Sequence, residues 1–192
     1  PNRLKRHFAV FNVPLPDTMS IQQIFGSIFD ARFGSAYPKG VVDVARELTK
    51  MSIDFWRKIG KKMLPTPAKF HYFFNLRDLS AIAQGLMHVG MYADPDKPDK
   101  RATSTPAAYL QTPQALVSAW RHECTRVFSD KLNTGADKKW FDENLHECVA
   151  QFLGKDLAES TKEPVYFANF MGEPKIDPET GETVESAPKI YE

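Results

Sequence analysis

Two His-Glu pairs, His122-Glu123 and His146-Glu147, are the first place to look for metal chemistry. Neither is followed by a second histidine four residues on. Neither therefore forms the HExxH pattern that sets two imidazoles on one helix face around zinc. The other histidines are scattered, and Cys124 and Cys148 have no CxxC spacing, so no metal site is expected. Both cysteines fall on apolar helical stripes, where a thiol behaves as a small hydrophobe and not as a nucleophile. There is no GxSxG elbow. Neither GxxxxGKS/T nor GxGxxG occurs, so these 192 residues carry no phosphate cradle of the usual kind and no evident magnesium ligand. No catalytic residue is expected within them.

Three arginines remain. Arg77 follows Asn75, a good N-cap, and precedes Asp78. That places it in the first turn of a helix, where the dipole disfavours a cation by about 0.3–1 kcal/mol. Two readings stand side by side. Arg77 is an exposed side chain paired with Asp78 or another carboxylate, or it shares an anion such as a nucleotide phosphate with the helix N-terminus. Arg3 and Arg6 precede an apolar run. They read either as a solvated charge cluster or as one arginine that reaches a phosphate in a neighbouring module.

These residues need a scaffold, and the composition supplies one. Of the chain, 42% is hydrophobic, which suffices for one sizeable core. Lys+Arg is 25 and Asp+Glu is 24, a balance that gives no argument for nucleic acid. No apolar run approaches the roughly 20 residues of a membrane helix, and the start, PNRLKRHF, lacks the apolar core of a signal peptide. The missing initial Met suggests a fragment. Two cysteines in a chain this long read as reduced core residues of an intracellular protein.

Along the chain, HFAVFNVPLP reads as one strand stopped by Pro14 and Pro16. A single strand cannot stand alone, so it calls for a sheet that the following sequence does not offer. Five helices are predicted after it. The first opens with a capping box at Ser20 and Gln23, buries Ile21, Ile24, Phe25, Ile28 and Phe29, and ends near Phe33-Gly34. The second runs from about Pro38 to Met63 on a stripe of Val41, Val44, Ala45, Leu48, Phe55, Ile59 and Met63, ended by Pro65 and Pro67. The third starts at Asn75 and buries Leu79, Ile82, Ala83 and Leu86. The polar stretch 93–105 is expected to be a flexible loop. The fourth opens at Thr112-Pro113, with Leu116, Val117, Trp120, Cys124, Val127 and Phe128 inward. The fifth is capped by Asp137, carries Trp140, Phe141, Leu145, Cys148, Val149 and Phe152, and ends at Gly154. Beyond Lys155 the pattern fades. VYFANFM is a short extended candidate and DPETGE a turn.

The segments RLKRHFAVFNVPLP, SIQQIFG, MLPTPAKFHYFFNLRDLS with QG after it, and WRHECTRVFSDKL with DKKWF occur in an order and spacing that span most of residues 1–153. Together they resemble the third AAA+ module of dynein heavy chains, and the FNLRDLS form looks axonemal. The resemblance implies a mainly α fold, a helical AAA+ lid bundle preceded by the last strand of an absent α/β large subdomain. It divides the chain into residues 1–16, the final helix turn and strand of that subdomain; 17–154, the lid; and 155–192, a connector to the next module. It matches Arg77 to the nucleotide-sensing (sensor-2) position and Arg3 or Arg6 to the arginine-finger region, which serves the preceding module's site. Where the family commonly has Arg after RDLS, Ala81 stands here, so any role of that Arg does not carry over. The implied parent is an ATP-driven, minus-end-directed microtubule motor of cilia and flagella. ATP or ADP with Mg belongs to the parent module and not to this segment alone. Its implied partners are the adjacent AAA+ modules, microtubules, and dynein intermediate and light chains, with no nucleic acid or membrane. Its implied location is the cytoplasm, cytoskeleton and axoneme. The competing reading is a free-standing helical interaction module with no nucleotide role.

Overall fold

The computed structural model describes residues 2–34, 36–89, 109–167, 175–176 and 183–185. Helix α1 (Asn2–Lys5) is a single turn, followed by α2 (Thr18–Arg32), α3 (Lys39–Lys62), α4 (Leu76–His88), α5 (Pro113–Val127), α6 (Gly135–Leu153) and α7 (Lys155–Ser160). Two short strands, β1 (Lys175–Ile176) and β2 (Thr183–Glu185), pair antiparallel, with Lys175 opposite Glu185 and Ile176 opposite Thr183. The expected loop at 93–105 and turn at DPETGE lie outside the described residues.

Helix α3 is the centre of the bundle, in contact with α2, α4, α5 and α6. Its long amphipathic stripe explains this, because every apolar residue assigned to it from spacing is buried. Phe55 is the hub. Its ring meets Trp120 of α5 at 6.5 Å, Phe128 at 6.0 Å and Phe141 of α6 at 5.3 Å, all edge-on or tilted. Trp120 Nε1 donates to Ser52 Oγ at 2.8 Å, and that hydroxyl donates to Leu48 O at 2.7 Å. The indole is thus buried with its one polar atom satisfied.

Helix α2 adds a ring ladder, Phe29–Phe33–Tyr37. Buried Arg32 lies over Phe33 and Tyr37 and donates from Nη2 to Val89 O at 3.2 Å, tying α2 to the end of α4.

Several expectations need correction. The stretch Phe8–Val13 forms no strand. Every residue from Arg3 to Asp17 is exposed, Val13 to 88%. The physical reason is that a strand needs a partner for its backbone groups, and among the described residues none is offered. The N-cap of α2 is Asp17, which accepts from Ser20 N at 2.8 Å, and not Ser20 with Gln23. Asp17 is extended (φ −70, ψ 169), as an N-cap must be, and a carboxylate suits the positive helix end. Ile24 and Ile28 are exposed, so α2 buries a narrower stripe than its apolar content suggests. Thr134 caps α6, accepting from Asp137 N at 3.3 Å. Gly154 ends α6 as expected, at φ +94. The helix α7 after it is one the spacing does not predict. Val165–Phe167 has no regular structure, and the remainder of the extended candidate lies outside the described residues.

Gly85 of α4 has a steric reason. A Cβ there would stand 2.0 Å from Cδ of Glu123, a fully buried carboxylate held by Arg126 at 2.5 Å. Gly85→Ala is expected to cost about 1–3 kcal/mol through overpacking. The cost should largely disappear in a Glu123→Ala background. Thermal unfolding of the four members of this double-mutant cycle checks it, and additive losses would contradict the contact.

Candidate functional site

Arg77 occupies the second position of α4, and its surroundings are built from the turn outward. Asn75 is extended (φ −120, ψ 178), and its Oδ1 accepts from Arg77 N at 2.9 Å. The Asn75 N–H donates to Asp78 Oδ2 at 2.9 Å, completing a capping box. The other oxygen of Asp78, Oδ1, takes Lys131 Nζ at 2.5 Å. Asp78 is therefore engaged twice, and neither bond goes to Arg77. The pairing of Arg77 with Asp78 weighed from the sequence is not formed. The Arg77 side chain is exposed and has no hydrogen bond or ion pair among the described residues.

Lys131 lies in the turn between α5 and α6, and that turn is the anchor for the whole entry to α4. His71 Nε2 lies 2.9 Å from both Lys131 O and Asn133 Oδ1. Tyr72 is 2% exposed, and its hydroxyl accepts from Asn133 N at 3.0 Å and donates to Asp137 Oδ2 at 2.8 Å. Lys69 pairs with the same Asp137 oxygen. Lys131 Nζ also stands 5.4 Å from the centre of the Phe74 ring. The connector Lys69–Asn75 is thereby clamped onto residues 131–137. The segments FHYFFNLRD and SDKLNTGAD, far apart in the sequence, form one polar unit beneath Arg77.

Electrostatics follow from these contacts. The Lys69 ammonium, then the Thr134 hydroxyl, hold the Asp137 carboxyl at about 2. Burial pushes both thiols up, Cys148 to about 12, which keeps them protonated and agrees with core packing.

Arg3 lies in α1 and Arg6 just beyond it, both exposed, with Arg6 Nε donating to His7 Nε2 at 3.2 Å. Nothing among the described residues ties either one to Arg77. The clamp residues Tyr72, Lys131 and Asp137 escape sequence reading because their partners lie 53 to 68 positions away. The one local sign is the capping box of Asn75 and Asp78.

No helix among the described residues is long and apolar enough to cross a membrane, and no group of three or more His, Cys, Asp or Glu gathers there. The helical bundle built around α3 is consistent with a helical lid of the AAA+ kind. The family model "Dynein heavy chain, ATPase lid domain" matches residues 36–138. Over its whole length the chain is 40% identical to "Dynein gamma chain, flagellar outer arm" of Chlamydomonas reinhardtii. It is 37% identical, again over all of it, to "Dynein axonemal heavy chain 8" of Homo sapiens. Human "Dynein axonemal heavy chain 10" is 33% identical over 88% of the chain. The chain belongs to the axonemal dynein heavy chain family and contains its ATPase lid. It spans about 4% of the length of each of these relatives.

Asp137 gives the clamp a signature in acid. Its folded value of about 2 lies below the ordinary carboxyl value of about 4. A depressed value means stability that is complete above pH 4 and lost as pH falls from about 4 through about 2. Asp137→Asn is expected to lower stability at neutral pH by about 1–2 kcal/mol and to flatten that acid slope. Urea titrations at stepped pH read both, and an unchanged slope would refute the pairing.

Proposed function

We propose that this chain is the nucleotide-sensing lid of the third AAA+ module in an axonemal dynein heavy chain, a microtubule motor of cilia and flagella. The observation that carries the proposal is Arg77. It is a cation at the positive end of α4, exposed and without a partner among the described residues, on a turn that is otherwise firmly held. Such an arrangement leaves an unmet demand for an anion. In the whole motor that anion is the phosphate of ATP or ADP, bound with Mg by the module's large subdomain. Arg77 and the α4 N-terminus close on it, and the bundle transmits the closure to the next module as a hinge motion. The whole-chain similarity to a flagellar outer-arm chain and to axonemal heavy chains supports the setting in the axoneme, with adjacent modules of the same heavy chain as immediate partners. Microtubules and the intermediate and light chains are partners of the parent motor.

Residues 1–16 supply the last turn and strand of the large subdomain, 17–154 the lid, and 155–192 the connector. The exposed apolar run Phe8–Leu15 supports that division, since it takes up its strand only beside a sheet. On this reading Arg3 or Arg6 serves as an arginine finger for the preceding module. The alternative, a free helical interaction module, leaves this run and Arg77 without a purpose.

Arg77→Ala separates the two. Because the side chain is exposed and unpaired, the substitution should leave thermal stability within about 0.5 kcal/mol. In the parent motor it should sharply reduce the dependence of microtubule gliding on nucleotide at the third module. Gliding with an unchanged nucleotide dependence would sink the assignment.

A further inference from the structure

Helix α4 is gripped at both ends by side chains from elsewhere in the bundle. The capping box and Lys131 hold its start. Its far end is held by Arg32, the last residue of α2. Arg32 is 6% exposed and forms no ion pair with a carboxylate among the described residues. A buried guanidinium without a carboxylate is costly, so its surroundings must offset the charge by other means.

Those means are two helix ends and two rings. Arg32 Nη2 donates to Val89 O at 3.2 Å. Val89 is the C-cap of α4, where terminal carbonyls lack a donor within the helix and carry the negative end of the dipole. It is itself fully buried, so its carbonyl needs a donor from within the protein. Arg32 also stands at the negative end of its own helix, and its guanidinium lies 5.9 Å and 5.7 Å from the centres of the Phe33 and Tyr37 rings. The charge and the orphan carbonyl answer one another, and their bond joins the end of α2 to the end of α4. Apolar packing does less to fix these two helices on each other. A gap of about 10 Å³ remains among Phe25 and Phe29 of α2 and Leu79, Ile82 and Ala83 of α4. Dispersion contacts leave register soft, whereas a directional bond sets it.

We propose that Arg32 is a positioning residue for the nucleotide response: it locks α2 to α4, so that a pull on the start of α4 is delivered to α2 and to the chain that enters α2 at Asp17. This rests on the sensing role proposed for Arg77. Arg77 and Arg32 act at opposite ends of a helix of 13 residues, about 20 Å long at 1.5 Å per residue. Helix-end electrostatics fade within one turn. An anion at the start of α4 therefore reaches Arg32 as the displacement of a stiff rod and not as charge. With Val89 released, α4 would shift against α2 and absorb the pull.

The parent motor is compared in two forms, with the phosphate-loop lysine of the third module intact or replaced. The readout is the change in microtubule gliding velocity between them, which the amount of folded motor does not scale. Arg32→Met keeps an unbranched side chain and removes both charge and donor. It is expected to shrink that change at least about five-fold, the lower end of ordinary couplings between sites. Arg32→Lys keeps a cation but loses the planar fork over the rings, and it is expected to fall between. Binding of a labelled nucleotide to the third module, taken as the difference between the same two forms, should persist in both variants. If Arg32→Met does not assemble, Arg32→Lys decides on the same criteria. An unaltered gliding response in either variant, or nucleotide binding lost together with the response, would overturn the inference. Arg77→Ala is run alongside. An unaltered response there removes the sensing role and this inference with it, whereas a response lost in Arg77→Ala and kept in the Arg32 variants removes this inference alone.

Discussion

The Asp137 carboxylate decides where the entry to α4 can lie. It sits at the third position of α6, freed from capping because Thr134 does that work, and it accepts from both Tyr72 and Lys69. Tyr72 is buried, so its hydroxyl must be satisfied from within, and Asp137 and Asn133 do so. Once Tyr72 is fixed, the few residues that separate it from Asn75 leave the α4 cap little freedom. Asp78 and Lys131 then close the unit from the other side. The direction of α4, and with it the position of Arg77, is set by side chains that belong to the start of α6.

Two kinds of glue operate in the bundle, and they do different work. The aromatic cluster around Phe55 is non-directional and supplies most of the burial. It tolerates small rotations of one helix on another. The polar contacts specify. Ser52 to Trp120, Arg32 to Val89 O, and the clamp each fix a register between helices that apolar packing alone leaves soft. Glu123 belongs with them. Its carboxylate fills the space over Gly85, which brings α4 and α5 closer than a Cβ at position 85 permits.

The sequence reads well wherever a rule is local. The α3 stripe, the Asn75 N-cap, Pro113 at the first turn of α5 and Gly154 at the end of α6 each follow from spacing or backbone preference, and the structure has them all. The reading fails where two local rules compete or where a partner is remote. Ser20 with Gln23 matches the capping-box pattern, yet Asp17 starts the helix three residues earlier, its carboxylate accepting from Ser20 N. Asp137 looks like a cap and is instead the anchor of the clamp. Ile24 and Ile28 have the right period for a buried face, but α2 packs at the edge of the bundle and leaves them outside. The place of Arg77 was legible from its cap; its freedom from Asp78 was not, because Lys131, which takes Asp78 away, lies 53 residues distant.

That last point bears on the sensing role proposed for Arg77. An arginine paired with the carboxylate next to it would have to give up that bond to meet a phosphate, and the exchange would cancel much of the gain. Here Asp78 is withdrawn by Asn75 and Lys131, so the guanidinium is exposed and available. The same withdrawal makes the turn stiff, since the two bonds that hold Asp78 also hold the helix start. On the proposed reading, a rigid turn carrying this cation would pass on the force of an arriving anion to the whole of α4 and, through the clamp, to α5 and α6. A flexible turn would absorb it. The clamp thus accounts for the freedom of Arg77 from Asp78, and in the proposed role it would be the route by which Arg77 moves the bundle.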